Sequence, residues 1–221
     1  MKNLTEIIFI IDKSGSMQTL VDDTIGGFNG FVESQRELDG EAYLTTVLFS
    51  TDRRKLHDHI DIREVPAMDK RQYVAGGMTA MLDAIGETIN EVQTRIDNTP
   101  VENRPDNILC VITTDGLENS SHTYDKSTVQ HMIEHQTKGH GWQFIFLGAN
   151  MDAVQEAADI GIHTAATYSA NSVGTKAVYD SINYAATSYR AMGVVDDAWA
   201  SAIKESNDCA VSAISSTDSL Q

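Results

Sequence analysis

Cysteine and proline are scarce in this 221-residue chain, with two of the first and three of the second. Two cysteines, Cys110 and Cys209, supply neither the dense disulfide framework of a small secreted domain nor the Cys/His set of a structural zinc site. Basic residues are few as well: 16 Lys and Arg stand against 32 Asp and Glu, for a formal net charge of −16. A surface of that sign repels DNA and anionic membranes, and the densest basic stretch, Arg53-Arg54-Lys55, is too short for a phosphate footprint. Long hydrophobic runs are also missing. The first apolar run, residues 7–11, is too short for the core of a secretory signal, and no stretch approaches a membrane span. From these absences we expect a cytoplasmic protein that engages neither nucleic acid nor membrane.

What is present supports a packed core, since hydrophobic residues make up 41 % of the chain, and the length suits one α/β domain. Residues 7–11, 108–112 and 144–147 are apolar without alternation, as in central strands of a parallel sheet covered on both faces. Residues 43–50 are rich in β-formers. Leu56, Ile60 and Ile62 alternate with polar residues, as on an edge strand, and Thr51-Asp52-Arg53 is short enough for a hairpin turn between the two. His57 and His59 fall at alternate positions of that edge strand and are expected to face solvent. A weaker strand spans 163–168.

Helical spacing fills the gaps: Ile25, Phe28 and Val32; Ile85, Ile89, Val92 and Ile96; Val129, Met132 and Ile133; Val154, Ala157 and Ala158; Val178, Ile182, Ala185 and Tyr189. Strand and helix alternate, with one hairpin. The pattern predicts a doubly wound, Rossmann-like α/β domain with a mostly parallel six-stranded central sheet, one antiparallel edge strand and helices on both faces. We place that domain at residues 1–193. In the extension, 194–221, Val195, Trp199 and Ile203 mark a short helix, and the Ser/Ala/Asp-rich chain from Ser206 is expected to fray.

Two central strands end in carboxylates. The first runs into Asp12-Lys13-Ser14-Gly15-Ser16, the second into Thr113-Thr114-Asp115-Gly116. In open α/β sheets ligands bind at the C-terminal strand ends, where neighbouring connections leave in opposite directions. With strand order 3-2-1-4-5-6, Asp12 and Asp115 are neighbours at that crevice, and two close carboxylates repel unless a cation joins them or one is protonated. Ser14, Ser16 and Thr79, the last from Gly76-Gly77-Met78-Thr79-Ala80, add hydroxyls. Five hard oxygen donors without His or Cys suit Mg²⁺ or Mn²⁺. The ligand charge of −2 only neutralises such an ion, which can then accept a carboxylate from outside. Simpler readings remain: Ser14 or Ser16 as cap of the first helix, Thr79 as cap of its own helix, and Gly76-Gly77 as a turn.

Asp12-x-Ser14-x-Ser16, then Thr79, then Asp115 resembles the metal-ion-dependent adhesion site of von Willebrand factor A-type domains, the family of integrin I domains. The likeness covers about residues 5–190. Gly27-Phe28-Asn29-Gly30-Phe31, the stretch 141–150 and Asp115-Gly116-Leu117-Glu118-Asn119 are similar to a stand-alone bacterial and phage branch. The resemblance implies that the two serines and Thr79 bind the metal directly or through water, that the aspartates act mostly through water and the serines, and that an Asp or Glu of a partner protein completes the coordination. It also implies company such as AAA+ ATPases or proteins of stress and phage gene clusters, and a binding module, not an enzyme.

The competing class is a metal-dependent hydrolase. His131-Met132-Ile133-Glu134-His135 matches the H-x-x-E-H pattern of inverted zinc peptidases, with His131 and His135 on one helix face. No downstream acidic ligand with its own supporting helix pattern accompanies it. A phosphatase using Asp12 as nucleophile would meet serine where a second aspartate is needed.

Overall fold

In the computed structural model, which describes residues 4–218 and side chains as far as Cys209, six strands form one sheet. They are β1 (Leu4–Asp12), β2 (Glu41–Phe49), β3 (Arg53–Asp61), β4 (Asn107–Thr114), β5 (Gln143–Ala149) and β6 (Ala165–Tyr168). Their order is β3-β2-β1-β4-β5-β6, and every neighbouring pair is parallel except the β2–β3 hairpin. The doubly wound sheet with an antiparallel edge is therefore as the sequence predicts.

The unbroken apolar run of β1 follows from its place at the centre. Ile7, Phe9 and Ile11 join the core on one face with Phe28 and Val32 of α1 (Val21–Arg36), Val178 and Ile182 of α5 (Ser172–Met192) and Ile203 of α6 (Ser201–Asp218). Ile8 and Ile10 join the other face with Ile85 and Ile89 of α2 (Met81–Asp97), Val129 and Ile133 of α3 (Lys126–His140) and Ala153 and Ala157 of α4 (Ala153–Asp159). Caps set the helix limits: Asp125 accepts from Thr128 N–H and Asn171 from Gly174 N–H, while Gly141 and Gly193 take the left-handed conformation that ends α3 and α5.

Several expectations change. In α4 the buried face is Ala153, Ala157 and Ile160, and Val154 and Ala158 point outward. Of the three residues that the helical spacing marks, only Ala157 lies on the buried face, because a seven-residue helix holds too few turns to fix the phase. Trp199 and Ile203 are buried, but Val195 and Trp199 precede α6, which starts at Ser201 and continues to Asp218, past Ser206.

His57 and His59 do not face solvent together. His57 is 2 % exposed, stacks on Phe28 and shares a hydrogen bond with Thr46 Oγ1. Register shifts in the β2–β3 pairing, with His59 at φ +52°, break the strict alternation that the sequence reading assumed. His59 turns inward to Glu6, whose carboxylate, fully buried in β1, also takes two bonds from Arg95 and one from Thr45. Burial alone would raise the Glu6 pKa, yet His59 and Arg95 together hold it below the usual carboxylate value. A second buried ion, Arg190 of α5, donates to the carbonyls of Gln35, Asp39 and Gly40, at 2.6, 3.2 and 3.3 Å, where α1 ends.

Candidate cation site

β1 and β4 run side by side, with Ile11 opposite Thr113. Their connections leave toward opposite faces, β1 into α1 and β4 into α3. The crevice between them opens at their C-terminal ends, and Asp12 and Asp115 stand there.

Asp12 is inaccessible to solvent, and both its oxygens are engaged: Oδ1 accepts the Ser14 N–H at 2.6 Å and Oδ2 accepts the Thr114 hydroxyl at 2.6 Å. Tyr73, buried in the loop before α2, donates its hydroxyl to the Asp12 carbonyl. Ser14 Oγ lies 3.1 Å from Ser16 Oγ, and Ser16 Oγ donates to Asp115 Oδ1 at 2.5 Å. Lys13 does not enter this group. Its ammonium is held by Asp52 at 2.7 Å and Ser50 Oγ at 2.9 Å.

Neither serine caps a helix through its side chain, and neither does Thr79: the N-cap of α2 is Ala80, without a side-chain cap bond. The first-turn amides of α2 are served by residues that sequence reasoning missed. Glu118 accepts from Leu82 N–H at 2.9 Å and Ser121 Oγ from Asp83 N–H at 3.0 Å. In return the Asp83 carboxylate accepts the amides of His122, Thr123 and Tyr124. Thr79 N–H donates to Asn119 Oδ1 and Asn119 N–H to the Thr79 carbonyl. The segment after β4 and the start of α2 thus form one hydrogen-bonded body that carries both Thr79 and Asp115. Only Asp83, an acid in a first helical turn, gave a signal for this in the sequence.

Gly116 shows that the hydroxyls converge. A Cβ built there would lie 3.0 Å from Thr79 Oγ1, 3.7 Å from Ser16 Oγ and 3.9 Å from Ser14 Oγ. Three neutral oxygens therefore surround the bare face of one glycine, next to two carboxylates. Burial pushes the Asp12 pKa up to about 6 against the opposing bonds from Thr114 and Ser14, and the Asp115 charge adds to the rise. Burial also raises Asp115. Both anions are thus held at a cost that a divalent cation would remove. Hard oxygens alone, two of them charged, fit such an ion.

The structure brings all five sequence-predicted oxygen donors together. It does not assemble the peptidase set. His131 and His135 are exposed on α3, and His131 Nδ1 is spent on the Ser127 carbonyl. Among the described residues no group of three or more His, Cys, Asp and Glu side chains is arranged to hold a metal ion. Both cysteines are free thiols, Cys110 buried and Cys209 exposed. No described helix is long and apolar enough to cross a membrane.

No protein-family model and no curated protein matches the chain. Solved structures do. A von Willebrand factor type A protein from Catenulispora acidiphila aligns over 83 % of this chain and 42 % of its own, at 13 % identity and a TM-score of 0.56. The D319A mutant of the PilB minor pilin from Streptococcus sanguinis aligns over 88 % and 62 %, at 13 % identity and 0.61. Proximal thread matrix protein 1 from the mussel byssus, in a form with a zinc-occupied metal-ion-dependent adhesion motif, aligns over 84 % and 48 %, at 13 % identity and 0.58. The chain spans about half the length of these structures. At such identity the likeness is one of fold, and the fold is that of von Willebrand factor A domains.

Proposed function

We propose that this chain with the von Willebrand factor A fold is a protein-binding module gated by a divalent cation, Mg²⁺ or Mn²⁺, held by Asp12, Ser14, Ser16, Thr79 and Asp115. The observation that carries the reading is the convergence of three hydroxyls on Gly116 beside two carboxylates raised in pKa. The zinc-occupied motif in the mussel protein of the same fold supports a divalent metal as the class.

Each residue has a distinct part. Asp12, with both oxygens occupied by Ser14 N–H and Thr114, contributes charge and orients the Ser14 backbone. Ser14, Ser16 and Thr79 present neutral oxygens. Asp115, more accessible than Asp12, orients the Ser16 hydroxyl. When bound, the cation supplies a Lewis-acidic position open to a carboxylate of the partner. Hydroxyl ligands offer little general-base capacity, which favours binding over hydrolysis. An AAA+ ATPase or a protein of a stress or phage gene cluster is the kind of partner the family resemblance suggests.

The test is a Mg²⁺ titration by calorimetry on wild type and Asp12→Ala, followed by capture from the source lysate in Mg²⁺ and in EDTA. A partner retained by wild type in Mg²⁺ alone supports the reading. Equal capture by both proteins, or in both buffers, removes it.

A further inference from the structure

α1 and α5 lie side by side and run the same way. Ser172 Oγ donates to Asp23 at 2.7 Å near the start of both helices, and Gln35 Nε2 donates to Asn183 Oδ1 at 2.7 Å further along. An open groove of about 520 Å³ runs between them. On the α1 side it extends from Asp22 to Ser34, about three turns of helix or roughly 18 Å. Its floor holds Gly26, Gly27, Gly30, Phe31 and Tyr179. The fold needs only one of these glycines. A Cβ at Gly27 would collide with the Tyr179 ring, whereas at Gly26 and Gly30, both exposed, it would meet nothing within 4 Å. Glycine is a poor helix former, so Gly26 and Gly30 weaken α1 without any return in packing. Their missing side chains keep the groove open. Tyr179 adds an independent sign. It is 6 % exposed, yet its hydroxyl has no hydrogen-bond partner among the described residues. Hydroxyls of buried side chains are normally bonded, and this one belongs to a side chain that lines the groove.

We propose that the groove between α1 and α5 is a docking site for an α-helix of a partner protein, one with a small apolar face flanked by lysine or arginine. Charge selects the sign of the partner. Three carboxylates line the groove, Asp22, Asp23 and Asp180, against one ammonium, Lys176. Asp22 and Asp23 also suit the first turn of α1, but Asp180 stands inside α5 and has no such role. The ion pairs Asp22–Lys70 and Asp180–Lys176, both 2.6 Å and exposed, are of the kind that yields readily to a competing cation. Nucleic acid and a second copy of this chain, itself of net charge −16, are repelled. Shape selects the helix. Both walls are helices whose interior N–H and C=O groups are bonded within them, so an extended segment finds no strand edge to pair with. Two bare glycines four residues apart let a third helix approach at the short end of the usual range of about 8–10 Å between axes. Small side chains of the partner then lie over Gly26 and Gly30, its basic side chains reach the three carboxylates, and a polar group beside them satisfies the Tyr179 hydroxyl. The contact needs no metal ion.

The experiment uses two fluorescent amphipathic peptides of about 18 residues, long enough to be helical when bound. Both carry an alanine face; one is flanked by lysine and serine, and the other has glutamate at every lysine position. Anisotropy is read in Mg²⁺ and in EDTA for wild type and three variants. Gly26→Leu/Gly30→Leu fills the groove and keeps the acids. Asp22→Asn/Asp23→Asn/Asp180→Asn keeps the groove and removes the charge. Val154→Ser, on α4 across the sheet, is the control. Urea unfolding confirms that each variant is folded. The expected result is that the lysine peptide binds wild type and the control alike, in both buffers, and that each groove variant weakens it by about tenfold or more. The glutamate peptide does not bind. Failure of the lysine peptide to bind folded wild type, equal binding of the glutamate peptide, or binding that survives either groove variant overturns the proposal. So does uptake of spermidine in place of the peptide, which assigns the groove to a small polyamine, or a wild-type dimer in sedimentation that the leucine variant abolishes, which assigns it to a second copy. Because the contact is read in EDTA as well, none of these outcomes bears on the cation site.

Discussion

Thr114, the last residue of β4, donates its hydroxyl to Asp12, the last residue of β1, across 2.6 Å, and both residues are fully buried. The same hydroxyl lies 2.9 Å from the Gly116 carbonyl and accepts the Gly116 N–H at 3.1 Å. One side chain thus fixes the inner carboxylate and shapes the turn that brings Asp115 round. Thr114→Val leaves Asp12 one donor short. We expect a loss of about 1–3 kcal/mol in unfolding free energy and weaker Mg²⁺ uptake, because the missing bond lets the Asp12 pKa rise further. Thr114→Ser should restore both. Urea unfolding and calorimetry on the three proteins decide it.

Asp12→Asn should act in the opposite sense on the metal-free protein. The folded-state pKa of Asp12, about 6, lies above its ordinary 3.8. Protonation therefore favours the folded state, a contribution complete below pH 3.8 and lost as pH rises through about 6. Near neutral pH in EDTA, asparagine removes the buried charge and should stabilise the protein by on the order of 2–3 kcal/mol. Its amide can donate to Thr114 Oγ, whose own proton then goes to the Gly116 carbonyl. Scanning calorimetry should show a raised melting temperature for the variant in EDTA and no further gain on adding Mg²⁺. A variant that melts lower than wild type in EDTA refutes this.

Gly116→Ala separates cation binding from stability. The new methyl group stands 3.0 Å from Thr79 Oγ1, in the space the hydroxyls share. Mg²⁺ affinity should fall roughly tenfold or more, about 1.4 kcal/mol, while the melting temperature in EDTA changes little.

His57 makes the fold sensitive to acid. Burial lowers its pKa from 6.5 to about 4, so the folded chain binds fewer protons than the unfolded one between those values. The associated stability is full above pH 6.5 and is lost as pH falls through about 4. Asp12 works the other way over much of that window, so the comparison belongs in an Asp12→Asn background. There, His57→Phe should flatten the fall in stability toward acid, a difference on the order of 2 kcal/mol. An unchanged pH profile contradicts it.

The glycines of α1 should respond in two ways. A Cβ at Gly27 would lie 2.1 Å from the Tyr179 ring, whereas at Gly26 and Gly30 it would meet nothing within 4 Å. Gly27→Ala should destabilise by about 1–3 kcal/mol through overpacking. Gly26→Ala and Gly30→Ala should each stabilise by about 0.5–1 kcal/mol through helix propensity. Chemical denaturation of the three variants gives the signs directly.

The sheet was legible because β1, β4 and β5 are covered on both faces and their runs 7–11, 108–112 and 144–147 contain no polar residue apart from the buried thiol of Cys110. The five candidate oxygen donors could be picked out because they lie at the ends of β1 and β4, in the turn after β1 or just before α2, where the apolar runs stop. What escaped reading were residues whose partners lie far away in sequence. Nothing around Glu118 announces that it serves the amide of Leu82, and nothing around His59 announces Glu6, 53 positions earlier. Local spacing reports which face a side chain takes. It is silent on which distant backbone group that side chain will satisfy, and it failed outright where register shifts in the β2–β3 pairing turned His57 inward.

Arg190 bears on how the chain is made. The carbonyls at the end of α1 are answered by a guanidinium that lies 155 residues downstream of Gln35. Central strand β1 likewise waits for β4 before its second edge is paired. During synthesis α1 therefore lacks this partner until Arg190 has been made, and β1 keeps one edge unpaired until β4 has been made. Those two long-range pairings cannot form early, so the apolar surface of β1 and the end of α1 stay open while the segments between them and their partners are made.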